Sequence, residues 1–192
     1  MRNPRYAAAL VLTGAFALSG CGMFGGGEKK VVCPASFIAP DAGKEAVFKP
    51  GGTTLRDVSY GVEIASIKSG CARADKGGLT VDTKLSFELV AEDPAIETGS
   101  FEYFVSIVDG QQHILTKHTY VLPFEFDPRQ RSMTRQDELI ENLPLRNDMS
   151  GGNYAVVVGL QLTPAQLEFN RAGNRGPAMS LPAAKARPRS NE

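Results

Sequence analysis

Apolar and polar positions alternate with a period of two along much of this chain. The clearest stretch is 79–89, with apolar or β-branched residues at every odd position: Leu79, Val81, Thr83, Leu85, Phe87 and Leu89. A second stretch begins with Val58, Tyr60, Val62 and Ile64. Its alternation shifts by one residue after Ile64, which predicts a bulge near Ala65 and Ser66. Successive side chains of a strand point to opposite faces, so both stretches predict half-buried strands.

Further strand signals follow along the chain. The segment 101–108 is joined to a return strand over 113–122 by the turn sequence DGQQ, and we expect Ile114, Tyr120 and Leu122 on one face of the return strand. The segment 151–162 predicts the last strand.

Two segments near the C-terminal end favour helix. Thr163, Pro164 and Gln166 form a capping-box pattern, which predicts a helix over 164–171. The segment 134–143 also begins with a possible N-cap, Thr134, and we interpret it as one or two helical turns.

These elements indicate a mainly β protein. Six to eight strands with no βαβ alternation favour a single antiparallel β-sandwich over 31–173, of immunoglobulin or fibronectin type, with one or two short helices near its C-terminal end. The tryptophan of antibody domains is missing, since the chain contains none. Residues 174–192 have few apolar side chains, and we expect a disordered basic tail.

The N-terminal segment has the order of a secretory signal. Arg2 and Arg5 precede an apolar run over 7–18, which is shorter than the roughly 20 residues of a membrane-spanning helix. The run ends in Leu18-Ser19-Gly20-Cys21, which resembles the lipobox of bacterial lipoproteins.

That resemblance implies a processed and lipidated N-terminus. Residues 1–20 would be a signal peptide that is removed, and Cys21 would carry two acyl chains on its sulfur and a third on its amino group. Two or more chains anchor a protein stably. Residues 21–30 would form a flexible, glycine-rich tether. Gly22 is compatible with export to the outer membrane, so we expect an anchor there, facing the periplasm.

Assigning Cys21 to lipid leaves two of the three cysteines, Cys33 and Cys71. The periplasm is an oxidising compartment, so we predict a Cys33–Cys71 disulfide. Two buried free thiols, or a metal-binding or catalytic cysteine, are the alternatives.

Charge separates the body of the protein from its tail. Without the signal peptide, 19 basic residues face 21 acidic ones, a net charge of −2. Residues 170–192 carry +4, from five basic residues and Glu192. The remaining −6 on residues 22–169 argues against a nucleic-acid partner. The tail, with Arg171, Arg175, Lys185, Arg187 and Arg189, suits an anionic envelope surface or simple exposure to solvent.

Catalytic chemistry has little support in the sequence. The two histidines, His113 and His118, are expected on opposite faces of a strand, with His113 solvated and His118 half-buried. The acidic stretches AEDPAIE and RQDELIE are interpreted as ordinary solvated charges. Nucleophile-elbow, phosphate-loop, dinucleotide and zinc-protease patterns are missing. We therefore predict no catalytic residues, no metal and no cofactor.

The segment 101–108 is apolar on both of its faces. If Tyr103, Val105 and Ile107 point to the core, Phe104 and Val108 point outward. They could form a patch for a partner, or both faces could be covered within the domain. The sequence thus predicts a lipid-anchored, non-enzymatic envelope protein that binds or scaffolds another envelope component. The alternative is a carrier or chaperone that holds a small apolar ligand in a cavity of the sandwich.

Overall fold

A computed structural model of the protein describes residues 31–75, 77–145 and 150–174. The predicted signal peptide and tether, with Cys21, and the tail from residue 175 onward lie outside the described residues.

Eight strands and one α-helix form the domain. The strands are β1 (Ala35–Ile38), β2 (Lys44–Phe48), β3 (Val58–Arg73), β4 (Leu79–Ala91), β5 (Thr98–Asp109), β6 (Ile114–Glu125), β7 (Ser132–Leu143) and β8 (Tyr154–Leu160). The helix α1 spans Pro164–Asn174, and single 3-10 turns lie at Pro40–Ala42, Leu55–Asp57 and Gly151–Asn153.

The strands form two four-stranded sheets that pack face to face. Sheet 1 has the order β1-β8-β5-β6, and sheet 2 has the order β2-β3-β4-β7. All pairings are antiparallel except that of β1 with β8. The mainly antiparallel β-sandwich is therefore confirmed. The face-to-face packing of two sheets is the feature shared with immunoglobulin domains. The strand orders differ, because immunoglobulin sheets have the orders ABED and CFG.

The core consists of the inward-facing residues of the central strands. The alternation predicted over 79–89 is confirmed, because every odd residue of β4 is buried. Phe87 packs against Tyr103 and Phe101 of β5, with ring centres 5.0 and 4.9 Å apart. Burying one such side chain contributes about 1.5–3 kcal/mol. The predicted bulge in β3 is also confirmed, since its register on β4 shifts between Ile64 and Ser66.

The prediction of helical turns over 134–143 is wrong, because this segment lies within β7. Its odd residues point to the core and pair with buried positions of β4, as Leu143 does with Leu79. Three of these inward positions are charged: Arg135, Asp137 and Glu141. Those charges obscure the period of two, so a capping-like pattern suggested helix instead.

The expected face of the return strand is partly wrong. Tyr120 and Leu122 lie on the inner face of β6, opposite Tyr103 and Phe101. The register shifts between Ile107 and Val108, so Ile114 pairs with Val108 and is 64% exposed. This irregularity at the start of β6 moves Ile114 out of phase with the rest of the strand.

The β1–β2 side of the sandwich is closed by a disulfide and a helix. Cys33 and Cys71 are bonded, with Cα atoms 5.5 Å apart, which confirms the predicted pair and joins the segment before β1 to β3. The predicted C-terminal helix is also confirmed and extends three residues further, to Asn174. Its capping box is formed: Thr163 N donates to Gln166 Oε1 at 2.8 Å, and Gln166 N donates to Thr163 Oγ1 at 3.3 Å.

Helix α1 covers the outer edge of β2. Gln166 Nε2 donates to the Ala46 carbonyl at 3.1 Å, and Asn170 Nδ2 donates to the Lys44 carbonyl at 2.7 Å. These two amides lie one helical turn apart and satisfy alternate carbonyls of the strand. The edge of β2 is therefore protected from pairing with another strand.

Candidate interaction surface

Strand β5 places Phe104 and Val108 on the outer face of sheet 1, as predicted. Tyr103, Val105 and Ile107 point inward and are at most 2% exposed. Phe104 and Val108 are both partly exposed on the opposite face. Their neighbours within sheet 1 cover part of each, so these two residues are half-buried members of a larger surface.

The Phe104 ring lies flat across the neighbouring strand. A Cβ atom on Gly159 of β8 would be 2.6 Å from the ring, so the ring occupies the space that only glycine leaves free. Lys117 Nζ sits 4.2 Å above the ring centre, in a cation–π arrangement. The ring is thus held in one position and forms the floor of the face.

The apolar surface extends well beyond the predicted pair. Three rows of cross-strand neighbours form what we call the outer face of sheet 1: Ala35, Ala155, Val108 and Ile114; Phe37, Val157, Ser106 and Lys117; Gly159, Phe104 and Thr119; with Val121 beside them. Helix α1 packs on β2 and on the Pro40–Ala42 turn, and that turn covers the face at Gly159, where an added Cβ would lie 3.0 Å from the Ala42 Cβ. Phe37 is 56% and Val121 is 61% exposed.

The outer face of sheet 1 has few charges. Two charged residues lie on it: Lys117, and Glu102, which is the cross-strand partner of Val121. Ser106, in the middle of the face, is 3% exposed, and its hydroxyl has no hydrogen-bond partner among the residues that the structure describes. This largely apolar surface differs from the charged, solvated outer face of sheet 2, where Lys84 and Glu138 form an ion pair at 3.2 Å.

A second cluster of polar side chains lies between the sheets on the β6–β7 side. Tyr103 donates to Asp137 Oδ2 at 2.6 Å, and Tyr120 donates to Glu141 Oε1 at 2.9 Å. His118 Nδ1 is 3.3 Å from the same Glu141 oxygen. We call these five residues the inter-sheet polar cluster. Its hydrogen bonds run from sheet 1 to sheet 2.

The environment of this cluster holds its phenols in the protonated form. Burial, and then the hydrogen bond to Asp137, raise the pKa of Tyr103 well above its ordinary value. Burial, and then the hydrogen bond to Glu141, raise the pKa of Tyr120 to about 12. Both phenols therefore act as hydrogen-bond donors near neutral pH.

The cluster corrects two expectations about charged residues. Glu141 is 7% exposed and Asp137 is partly buried, so these two acids are not ordinary solvated charges. The His118 side chain is 56% exposed rather than half-buried, although it shares the face of Tyr120 as predicted. His113 is 68% exposed beside the hairpin turn, where Asp109 accepts from its backbone N–H. A period-two signal in Met133, Leu139 and Leu143 could have revealed the inward acids.

A shallow pocket of about 260 Å³ lies at the end of the sandwich away from the disulfide. Its apolar lining comes from Ile96, Phe126 and two prolines in the loops after β4 and β6. The Arg131 guanidinium donates a hydrogen bond from Nε to the Ala91 carbonyl at 3.0 Å. This cation is therefore already paired with a backbone group of the protein.

Three further features were sought in the described residues: a metal-binding group, a membrane-spanning helix and the basic tail. Among residues 31–75, 77–145 and 150–174, no group of three or more His, Cys, Asp and Glu side chains is placed to share a metal ion. Within the same residues, no helix has the length and apolar character needed to cross a membrane. Of the basic residues assigned to the tail, Arg171 is described, and its Nε lies 3.1 Å from Asp41 Oδ2.

Comparison with known proteins finds no match to the chain among protein-family models, curated protein sequences or solved structures. A function must therefore be argued from the residues themselves.

Proposed function

We propose that this protein is a lipid-anchored, non-enzymatic lipoprotein of the bacterial cell envelope that binds another envelope protein through the outer face of sheet 1. The observation that carries the proposal is the exposed, largely apolar surface around Phe37, Phe104 and Val121. The lipobox-like sequence ending in Cys21 supports the anchor and an outer-membrane location facing the periplasm.

The chemistry of the face defines the partner. A surface that buries Phe37 and Val121 must itself be apolar and flat, because β-sheet side chains offer no deep groove. Lys117 lies on the edge strand β6 with its ammonium over the Phe104 ring, and it needs a carboxylate or carbonyl from the partner where water is excluded. We therefore expect an envelope protein with an apolar patch and an acceptor group at the side that meets β6.

The anchor and the face are well placed to work together. Ten residues connect Cys21 to Val31, the first described residue, and span at most about 33–36 Å when extended. An anchored domain would stay within that distance of the membrane, which limits partners to proteins at the same surface.

The carrier alternative would need space between the sheets. The largest fully buried side chains include Tyr103 and Phe87, whose rings are in contact there. An apolar ligand would have to displace such rings or bind outside the sandwich. Native mass spectrometry of the full chain tests this alternative, since a retained apolar molecule would support a carrier.

The anchor is tested by changing Cys21 to Ala in the full chain. We expect the variant to lack acyl mass and to leave the membrane fraction, with Cys33–Cys71 intact. An unchanged mass and distribution would contradict lipidation at Cys21.

The face is tested by photo-crosslinking in the envelope, with the reactive group at Phe37 or Val121. The matched control position is Ile140, which is 67% exposed on the outer face of sheet 2. We expect a discrete crosslinked protein from the first two positions, abolished by Phe104→Glu. Equal crosslinking from Ile140 would contradict binding through sheet 1.

A further inference from the structure

Among the strands that the structure describes, none pairs with the outer edge of β6, whose backbone groups are available for pairing. Gln161 N donates to the Glu102 carbonyl, so Glu102 of β5 directs its backbone toward the β8 side. Backbone groups alternate sides along a strand, so Tyr103 and Val105 bond to β6, opposite Tyr120 and His118. The intervening residues of β6 therefore direct their N–H and C=O groups away from the sheet: Lys117, Thr119 and Val121.

The edges of β1, β2 and β7 have features that disfavour strand addition. The C-terminal half of β3 extends past β2, and there Cys71 is joined to Cys33. Strand β1 has only four residues. The β2 carbonyls accept hydrogen bonds from Gln166 and Asn170 of α1. Strand β7 carries inward-pointing charges, a feature that disfavours pairing at an edge. Strand β6 has twelve residues, and its inward titratable side chains are His118 and Tyr120, which both contact Glu141 rather than projecting past the edge.

The available part of β6 is bounded symmetrically. At one end, the register irregularity near Ile114 interrupts the strand. At the other end, Pro123 has no N–H to donate. Thr119 lies midway between residue 115 and Pro123, so an antiparallel copy centred on Thr119 meets the same limits at both ends.

Side-chain chemistry also suits a two-fold pairing. Thr119 would face Thr119 of the second copy, a favourable cross-strand pair. Lys117 would face Val121, so like charges are not opposed. The Lys117 ammonium lies over the Phe104 ring of its own sheet, 4.2 Å from the ring centre, which keeps it from projecting past the edge.

We infer that two copies of this chain pair antiparallel through β6, centred on Thr119, and form a two-fold dimer. The two four-stranded sheets would become one eight-stranded sheet. Its outer face would join the two outer faces of sheet 1 into one surface. The pairing rests on the β6 edge and is independent of lipidation and of the envelope partner.

A cysteine crosslink tests the register directly. In a hydrogen-bonded antiparallel pair the Cα atoms lie about 5.5 Å apart, which is within disulfide range. Thr119→Cys in the full chain should give covalent dimer on non-reducing electrophoresis. The matched control is Gln136→Cys in β7, the edge strand of sheet 2. This variant should give several-fold less covalent dimer. Equal dimer from both variants would overturn the inference.

The mass of the full chain in detergent gives a second, independent test. Sedimentation should show a dimer that Thr119→Pro converts to monomer, while Gln136→Pro remains dimeric. Circular dichroism verifies that both proline variants fold, and the crosslink decides the question if Thr119→Pro does not. A wild-type monomer at every concentration, with no excess crosslink at Thr119, would refute the pairing.

Discussion

The two long sides of the sandwich are closed by different means. On the β1–β2 side, a disulfide joins the chain before β1 to β3, and α1 covers the β2 edge with two amide side chains. On the β6–β7 side, the sheets are joined by hydrogen bonds within the inter-sheet polar cluster. The first side is held by covalent and backbone-directed contacts, and the second by exchangeable side-chain contacts.

This difference assigns separate roles to the two sides. The β1–β2 side is stabilised by a covalent bond and by amide hydrogen bonds to backbone carbonyls, which do not titrate. The β6–β7 side keeps the sheets in register while leaving the backbone of β6 reachable. Interaction surfaces are commonly placed on elements supported by a rigid scaffold, and this arrangement places them beside β6.

Removing the disulfide should have the largest effect on this comparison. Cys33→Ala combined with Cys71→Ala should lower the free energy of unfolding by about 2–5 kcal/mol, because the unfolded chain loses the constraint of a crosslink. Urea unfolding followed by circular dichroism measures this loss. Reducing agent should destabilise the wild type and leave the double variant unchanged. An unchanged urea midpoint in the double variant would mean that α1 and β1 close this side unaided.

Tyr103→Phe should have the next largest effect, on the opposite side. It removes a hydrogen bond to the Asp137 carboxylate from a fully buried ring, at a cost of about 1–2 kcal/mol. Tyr120→Phe should cost less, because Tyr120 is partly exposed and water can replace its hydroxyl. Thermal unfolding of both variants compares them. A larger loss for Tyr120→Phe would contradict the burial argument.

Gln166→Ala should cost about 1 kcal/mol, since it removes the capping box of α1 and the amide contact with the β2 edge. The matched control is Glu168→Ala, an exposed position of the same helix, which should change the free energy of unfolding by less than about 0.5 kcal/mol. Chemical unfolding distinguishes the two. Equal effects would mean that α1 does not stabilise the β2 edge through this side chain.

Glu45→Gln should give the smallest effect, and one that depends on pH. Burial raises the pKa of Glu45 above its ordinary 4.5, although the hydrogen bond from Gln166 opposes the rise. Ionising this carboxylate therefore costs more in the folded state than in the unfolded state. The wild type loses stability as pH rises from the unfolded pKa through the folded one.

The glutamine variant keeps an oxygen for Gln166 without acquiring a charge. Its melting temperature should equal that of the wild type below about pH 4 and exceed it increasingly at higher pH, until Glu45 is fully ionised. Melting curves between those limits test the sign. A variant that becomes less stable than the wild type as pH rises would show that the charge itself is stabilising.

The sequence predicted what depends on local order. Alternation in β4, the Thr163–Gln166 capping box and the Cys33–Cys71 pair all appear as predicted. Each rests on residues close in sequence or on a small set of cysteines. The alternation of buried positions within a strand, and the capping of a helix, are decided largely by the residues of that strand or cap.

The parts that depend on pairing across the sheets could not be predicted. Asp137 and Glu141 are inward because Tyr103 and Tyr120 donate to them from the opposite sheet, over 34 and 21 residues of sequence. The extent of the outer face depends on which strands are neighbours, so Phe37 joins Phe104 only through β8. The pair Phe104 and Val108 was correctly placed, but the surface around it required the strand order.

The position of the disulfide determines how the domain carries mechanical load. Cys33 precedes β1, whose ladder on β8 is four residues long and would unzip readily under tension. A pull on the chain ahead of Cys33 passes instead through the sulfur atoms into β3 at Cys71. Strand β3 has sixteen residues, and at Cys71 it is paired with β4 in a ladder that runs from Tyr60 to Arg73. Tension from the N-terminal side therefore enters this long ladder of sheet 2, and the short strand β1 is shielded from it.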